Sequence, residues 1–147
     1  MPTEPLSSAD PLFEAIDHVG IAVADLDAAV RYYAATFGMT VTHEEINEEQ
    51  GVREAMLAVG DSGSSIQLLA PLSDDSPIAK FIGRRGAGIQ QLAYRVRDLD
   101  AVSATLRARG AELLYDQPKR GTANSRVNFI HPRSAGGVLV ELVEPAR

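Results

Sequence analysis

The sequence predicts an α+β fold made of two tandem βαβββ modules, and three observations support this prediction. The first is an internal repeat, in which DHVGIAVADLDAAVRYYAATFG (17–38) aligns with QQLAYRVRDLDAVSATLRARG (90–110). The second is the end of each module, where SIQLLAP (65–71) aligns with LVELVEP (139–145). The third is the spacing, because matched positions in both alignments lie 72 to 74 residues apart. A nearly constant offset indicates duplication of one unit.

The opening segment of each module predicts a strand followed by a helix. In DHVGIAV, apolar side chains alternate with small or polar ones, and this period of two is typical of a strand. Asp25 then suits the N-cap of a helix, and Gly38 suits its left-handed C-terminal position. Asp98 and Gly110 occupy the same places in the second module. Three shorter alternating segments follow each helix, at 40–46, 53–59 and 64–70, and at 113–116, 126–131 and 137–143.

The repeats divide the chain into four segments that together form one structural domain. The N-terminal lead-in is rich in Pro, Ser and acidic residues, and we expect it to be disordered. Between the repeats, Ser76 suits the N-cap of a linking helix, Pro77 its first turn and Gly86 its end. The segments are the lead-in (1–13), the first module (14–75), the linking helix (76–88) and the second module (89–147).

Composition and charge exclude several classes of function. The chain has 147 residues and a formal net charge of −6, so it lacks the positive field that nucleic-acid binding requires. We find neither an apolar segment long enough to span a membrane nor the pattern of a signal peptide. The absence of cysteine excludes disulfides and thiolate chemistry, and it favours a cytoplasmic location.

Four polar residues occupy repeat-related positions in strands that are otherwise apolar. His18 matches Gln91 in the first strand of each module, and Gln67 matches Glu141 in the last strand. If first and last strands are neighbours, the duplication brings these four side chains together. One imidazole, one carboxylate and two amide oxygens suit a divalent ion such as manganese, cobalt, nickel or zinc. Taken singly, a strand histidine is more often a core or surface residue, and a strand glutamine more often faces solvent.

A set of longer motifs runs through both modules: IDHVGIAV, EEQGVREAML, IQLLAPLSDDSPIAKF, LAYRVRDLDAVSATLRARGAELLYDQPKRG and NFIHPRSAGGVLVEL. Together they resemble the methylmalonyl-CoA epimerase family of the vicinal oxygen chelate superfamily, from about residue 14 to residue 144. The combination of QGVRE, NFIHP and GGVLVEL gives this resemblance its specificity, since DHVGIAV alone would indicate only the superfamily. The resemblance implies a half-barrel fold around a metal site, in an isomerase of propionate metabolism.

The resemblance also implies roles for individual residues. The implied metal ligands are His18, Gln67, Gln91 and Glu141, and the implied catalytic acid–base residues are Glu54 and Glu141. The implied reaction is epimerisation of methylmalonyl-CoA at C2, by proton removal and return through a metal-stabilised enolate. The family usually has histidine at positions 90 and 91, where this chain has glutamine. Because an amide oxygen is a harder donor than imidazole, we expect Co²⁺ or Mn²⁺, with Zn²⁺ or Ni²⁺ also compatible.

An alternative interpretation of Glu54 is a solvated carboxylate on an edge strand. Glu141 carries a conflict of roles, because a metal-bound carboxylate is a poor base unless it rotates or dissociates. We therefore favour its role as a ligand over its role in proton transfer.

A run of basic residues stands out from the acidic remainder of the chain. Between Gln117 and Val140 there are four basic residues and no acidic one. Such a rim would attract the phosphates of coenzyme A, and an ordinary basic surface loop is the alternative. His131 could bind the substrate carboxylate or brace the site, and we favour bracing. The candidate substrate- and CoA-binding residues are Lys119, Arg120, Arg126, His131 and Arg133.

Two other functions on the same fold remain open at this point. A glyoxalase I-like isomerase would act on a glutathione hemithioacetal, and the basic run does not distinguish glutathione carboxylates from CoA phosphates. A non-enzymatic member of the superfamily would bind a small molecule and need no metal. A purely structural domain would leave Gln67, Gln91 and Glu141 unexplained. We also expect a homodimer, as is common in the superfamily.

Overall fold

The computed structural model describes residues 10–147 and confirms the predicted α+β architecture. The helices and strands, in chain order, are β1 (Ala15–Ala22), α1 (Leu26–Phe37), β2 (Val41–Asn47), β3 (Val52–Ala58), β4 (Ser65–Pro71), α2 (Pro77–Arg85), β5 (Gly88–Arg95), α3 (Leu99–Ala108), β6 (Lys119–Arg120), β7 (Arg126–Ile130) and β8 (Val140–Glu144). They form two compact units. The first unit is His18–Gln90, and the second unit is Gln91–Arg147 together with the described residues up to Asp17.

In the first unit the strand order is β2-β3-β4-β1. β1 and β4 are parallel, whereas β3 is antiparallel to both of its neighbours. α1 packs on this sheet through a core that joins Leu26 to apolar residues of β3 and β4, namely Ala55, Leu57, Leu68 and Ala70. The first and last strands of the predicted module are therefore neighbours, as the sequence analysis required.

In the second unit the order is β5-β8-β7-β6, with β5 and β8 parallel and the other pairs antiparallel. α3 contributes Leu99 and Val102 to its core, which also contains Val96, Ile130, Val140 and Leu142. The unit thus repeats the β-α-β plan of the first, with the last strand again beside the first.

The caps of the two repeated helices follow the prediction. Asp25 Oδ1 accepts a hydrogen bond from Ala28 N at 3.0 Å, and Asp98 Oδ1 accepts one from Ala101 N at 3.1 Å. Both contacts satisfy backbone donors that a helix N-terminus leaves unpaired. Gly38 ends α1 with a φ of 68°, a left-handed conformation that costs glycine little.

The strand predicted at 113–116 does not form in the structure. In its place an isolated bridge joins Leu113 to β7, and the two-residue β6 pairs with β7 further along the chain. The side chain of Asn128 explains the interruption, because its Oδ1 accepts from Tyr115 N at 3.1 Å and its Nδ2 donates to Tyr115 O at 3.0 Å. A side-chain amide thus replaces part of the backbone ladder, and no continuous strand forms there.

The predicted disordered lead-in needs a second correction. Residues 1–9 of that segment lie outside the described residues. Leu12 and Phe13, however, pack against the core of the second unit, and the Phe13 ring stacks on Tyr94 with 4.4 Å between centroids. Stacked aromatic rings of this kind stabilise packing beyond the area that they bury. Leu12 and Phe13 therefore belong to the packed core of the second unit and not to a disordered segment.

The segment between β4 and β5 forms the predicted helix, α2. Ser76 caps it by accepting from Ala79 N at 3.1 Å, and Pro77 lies in its first turn. Among residues 10–147, no helix combines the length and the apolar character needed to cross a membrane.

Candidate active site

The first unit places His18 and Gln67 on one face of its sheet. In the parallel pair of β1 and β4, Gly20 lies opposite Gln67. His18 precedes Gly20 by two residues, so its side chain lies on the same face. Both side chains are buried, with 2% of His18 and 3% of Gln67 exposed. The structure therefore gives this half of the predicted ligand set a common face.

The second unit repeats this geometry with different residues. Ala93 lies opposite Glu141 in the parallel pair of β5 and β8, and Gln91 precedes Ala93 by two residues. Both Gln91 and Glu141 are buried, and Gln91 Nε2 donates to Glu141 Oε1 at 2.6 Å. This hydrogen bond meets the need of a buried carboxylate for a donor.

Glu54 shares the face of His18 and Gln67 in the first unit. Met56 lies opposite Gln67 in the β3–β4 pair, and Glu54 precedes Met56 by two residues. The Glu54 side chain is buried, and its Oε2 accepts from Gln67 Nε2 at 2.9 Å. The alternative of a solvated edge-strand carboxylate is wrong, because β3 lies between β2 and β4.

The residue that matches Glu54 in the second unit is apolar. Phe129 lies opposite Glu141 in the β7–β8 pair, just as Met56 lies opposite Gln67, and Val127 precedes Phe129 by two residues. Val127 is buried in a small cluster with Ala93 and Val143. The repeat therefore places a carboxylate at this position in the first unit alone.

The amide orientations fit metal ligation. Gln67 and Gln91 each direct their Nε2 to a carboxylate, so the oxygen of each amide is turned away from that carboxylate. An amide binds a metal ion through this oxygen. Among residues 10–147, no group of three or more His, Asp or Glu side chains is arranged to hold a metal ion. The predicted ligand set contains only two such side chains, His18 and Glu141, and takes its other two donors from the amides of Gln67 and Gln91. The absence of an all-His, Asp or Glu cluster therefore does not bear on this set.

Two of the predicted CoA-binding arginines are engaged in ion pairs. Arg126 contacts Asp100 at 3.1 Å and Glu144 at 3.2 Å, and the hydrogen bond with Asp100 is the main cause that raises the pKa of Arg126. Arg133 contacts Glu112 at 2.6 Å. Each arginine is thus paired with a carboxylate of the protein itself. This pairing weakens the assignment of Arg126 and Arg133 as CoA-binding residues.

The other members of the basic run have different surroundings. The Lys119 ammonium lies 4.3 Å from the centre of the Tyr115 ring, and Arg120 Nε donates to Asn124 Oδ1 at 2.8 Å. His131 accepts from Arg133 N at 3.1 Å through Nδ1, at the start of the short 3₁₀ turn Pro132–Ser134. This contact favours the bracing role of His131.

Two features of the first unit were missed by the sequence analysis. His43 and Glu45 form a pair on β2, with 2.7 Å between Nε2 and Oε1. Their spacing of two on an alternating segment was the signal that could have placed them on one face. Arg53 binds Asp27 through two hydrogen bonds, at 2.8 and 3.2 Å, and these hydrogen bonds are the main cause that lowers the pKa of Asp27. The repeat offset could have revealed this pair, because Asp100 and Arg126 match it.

Comparisons with known proteins agree with this geometry. Residues 17–129 match the family model of the Glyoxalase/Bleomycin resistance protein/Dioxygenase superfamily. The ethylmalonyl-CoA/methylmalonyl-CoA epimerase of Cereibacter sphaeroides is 37% identical over 129 residues, which cover 86% of this chain and 95% of that protein.

Two solved structures share both fold and sequence with this chain. Methylmalonyl-CoA epimerase from Mycobacterium tuberculosis is 60% identical with a TM-score of 0.91, over 96% of this chain and 94% of that one. A variant of the Streptomyces coelicolor methylmalonyl-CoA epimerase, in complex with 2-nitronate-propionyl-CoA, is 46% identical with a TM-score of 0.89, over 92% and 99%. These similarities confirm the predicted vicinal-oxygen-chelate type of fold. The chain belongs to the methylmalonyl-CoA epimerase family within the glyoxalase and dioxygenase superfamily.

Proposed function

We propose that this protein is an isomerase that interconverts the two C2 epimers of methylmalonyl-CoA. The observation that carries the proposal is the Glu54–Gln67 pair, a buried carboxylate held on a sheet face by an amide donor. The family supplies the reaction class, since its relatives are named as epimerases of methylmalonyl-CoA. This membership favours epimerisation over a glyoxalase I-like reaction on a glutathione adduct.

Glu54 is the proposed base on one face of C2. The proton at C2 lies between a thioester and a carboxylate, so its removal leaves an enolate. The Gln67 amide fixes one Glu54 oxygen at 2.9 Å, which limits the orientations of the carboxylate. A positioned general base of this kind contributes roughly 10²- to 10⁴-fold to a rate.

Glu141 is the proposed acid–base group for the opposite face, and it is also a proposed metal ligand. Its carboxylate is buried and held by Gln91 at 2.6 Å. Since Val127 replaces a carboxylate at the position matching Glu54, Glu141 is the acidic residue that the second unit offers on this face. We continue to favour the ligand role of Glu141 over its role in proton transfer.

His18, Gln67, Gln91 and Glu141 are the residues that would hold a divalent ion, with Co²⁺ or Mn²⁺ favoured by the two amide donors. When bound, such an ion supplies a positive charge that stabilises the enolate. The chain itself orients the two amides through their carboxylate partners. That these four residues bind one ion stays a prediction, and metal titrations of single variants of each test it.

Lys119 and Arg120 are the remaining candidates for the phosphates of coenzyme A. Lys119 lies over the Tyr115 ring and Arg120 donates to the Asn124 amide, and both of these groups are neutral. Arg126 and Arg133 are better explained by their carboxylate partners. The homodimer and the cytoplasmic location also stay predictions, with sedimentation and cell fractionation as their tests.

The test of the proposed function is deuterium wash-in at C2 of methylmalonyl-CoA in heavy water. We expect metal-loaded protein to exchange C2 hydrogen and to convert each epimer into the other. Chelator-stripped protein should do neither until metal is restored. Absence of exchange in both samples would remove the epimerase function, and the glutathione hemithioacetal would be the next substrate to test.

A further inference from the structure

We propose that Glu45, backed by His43, carries protons between Glu54 and solvent. This inference rests on the proposed function, because it takes Glu54 as one of the two bases. Glu45 acts through Glu54 and does not touch the substrate. All of the residues that carry the inference belong to the first unit.

The strand register places Glu45 beside Glu54. In the antiparallel pair of β2 and β3, Glu45 lies directly opposite Glu54, and His43 lies opposite Met56. Directly opposite residues project to the same face, with about 4.5–5.5 Å between their Cβ atoms. Glu45 and His43 therefore share the face on which Glu54 contacts Gln67.

Exposure falls in steps along this row of polar side chains. The His43 side chain is 40% exposed and that of Glu45 is 12% exposed, whereas Glu54 is 3% exposed. His43 Nε2 and Glu45 Oε1 lie 2.7 Å apart, which is a hydrogen-bond distance. The row thus leads from solvent at His43 to the buried base.

Packing alone does not explain two carboxylates in this arrangement. Like charges directly opposite each other on neighbouring strands are destabilising. A buried carboxylate beside a second one also costs free energy unless a proton or a cation offsets the charge. The His43 imidazole, which is partly exposed and lies 2.7 Å from Glu45, gives these side chains an outer proton acceptor in contact with solvent.

The second unit has no copy of this row at the matching positions. Val127 takes the place of Glu54, and the repeat offset of 73 matches His43 with Asp116 and Glu45 with Pro118. These two residues fall in the interrupted segment between the Leu113 bridge and β6. The proposed path therefore serves the face of C2 on which Glu54 acts.

The proton balance of the path is simple. Glu54 takes the C2 proton and becomes a neutral acid, and that proton then passes to a carboxylate oxygen of Glu45. Glu54 returns to its ionised form. The His43 imidazole accepts the proton from Glu45, and the imidazolium releases it to water. One proton moves from C2 to solvent with no change in oxidation state, and the reverse sequence returns one.

The experiment compares Glu45→Gln with Glu44→Gln in metal-loaded protein. Glu44 is the matched control, because it is adjacent, exposed and opposite Ala55, and therefore lies on the other face of the same strand. Each epimer is incubated separately in heavy water. Deuterium is measured both in the product and in the recovered, unepimerised substrate. Glu54→Gln identifies the epimer whose proton Glu54 removes, since it should abolish deuterium in the recovered form of that epimer alone.

We expect Glu45→Gln to lower deuterium in the recovered form of that epimer and to leave the recovered form of the other unchanged. Its kcat should fall about tenfold, because Glu54 returns more slowly to its ionised form between turnovers. Its kcat/KM should stay within about twofold of wild type, since this deprotonation follows product release. His43→Gln should show the same pattern to a smaller degree, and Glu45→Asp should restore part of the exchange.

Several outcomes would overturn this role for Glu45. One is a Glu45→Gln protein that behaves like Glu44→Gln, and another is an equal loss of exchange for both epimers, which would indicate a structural effect. If Glu45→Gln does not fold, an unchanged exchange ratio in His43→Gln would contradict the path. The proposed function fails separately, if wild-type protein does not epimerise or if Glu54→Gln leaves exchange intact for both epimers.

Discussion

The two units share one scaffold and differ in the chemistry placed on it. Each has an Asp that caps its helix, and each has a second Asp in the first helical turn that binds an arginine of an inner strand. These ion pairs are Asp27–Arg53 and Asp100–Arg126, and their members match at an offset of 73 residues. The scaffold contacts have thus survived duplication in both copies.

The polar residues on the sheet faces have diverged instead. In the first unit an amide on the last strand, Gln67, holds a carboxylate on β3. In the second unit the amide lies on the first strand, as Gln91, and holds a carboxylate on the last strand. Each unit therefore presents a buried amide–carboxylate pair, but the carboxylates stand at different positions of the repeat. This difference suits a reaction that needs two distinct proton carriers.

The largest effect that the comparison predicts is the loss of Glu54. Glu54→Gln keeps the size of the side chain and removes its charge. The matching position of the second unit, Val127, is already uncharged. We expect kcat to fall by about 10²- to 10⁴-fold, because a positioned base is removed. Steady-state kinetics measure the fall, and Glu44→Gln serves as the control. A Glu54→Gln enzyme with near-normal kcat would show that Glu54 is not a base.

The second prediction compares how substitutions of Gln91 and of its neighbour Gln90 change the affinity for metal. Gln91→Ala removes a proposed ligand that also holds Glu141, so we expect metal affinity to fall by roughly ten- to a hundredfold. Gln90 lies on the opposite face of the strand, and its buried Oε1 has no hydrogen-bond partner within residues 10–147. Gln90→Ala should therefore leave metal affinity nearly unchanged. Calorimetric titration with Co²⁺ measures both, and equal effects would contradict the ligand role of Gln91.

Sequence patterns predicted what depends on local order and on the repeat. The helix caps followed from local sequence, and the common face of His18 with Gln67 followed from the repeat once first and last strands were taken as neighbours. Two features escaped because side chains decide them over long sequence separations. The Asn128 amide interrupts the strand expected at 113–116, and the partners of Arg126 and Arg133 lie 18 to 26 residues away. A basic run in sequence is therefore not a basic surface in structure.

The ion pairs should differ in their effect on stability. Arg126 contacts two carboxylates, and one of them, Glu144, also accepts from the backbone N–H of Leu99 at 3.0 Å. Arg126→Gln leaves the buried Glu144 without its charged partner, so we expect the free energy of unfolding to fall by about 1–3 kcal/mol. Arg53→Gln should have a smaller effect, because Asp27 is exposed. Urea denaturation measures both, and a larger loss in Arg53→Gln would contradict this order.

The smallest predicted effect is a dependence on pH in the acid range. Arg53 lowers the pKa of Asp27 from 3.8 in the folded protein, so the unfolded chain takes up this proton first as the pH falls. The stability that the pair adds is therefore complete above the unfolded pKa, and it is lost as the pH falls through the lower, folded pKa.

The difference in unfolding free energy between wild type and Arg53→Gln isolates this contribution, because the other carboxylates largely cancel. We expect the difference to be constant near neutral pH and to shrink once the pH falls below about 4. Urea denaturation across the acid range measures it, with Arg84→Gln as a control for removal of one exposed positive charge from the same unit. A difference that grows on acidification would mean that Arg53 stabilises the fold through packing and not through the charge of Asp27. In that case the duplicated ion pairs would be a by-product of the shared scaffold, and the two units would resemble each other in shape more than in electrostatics.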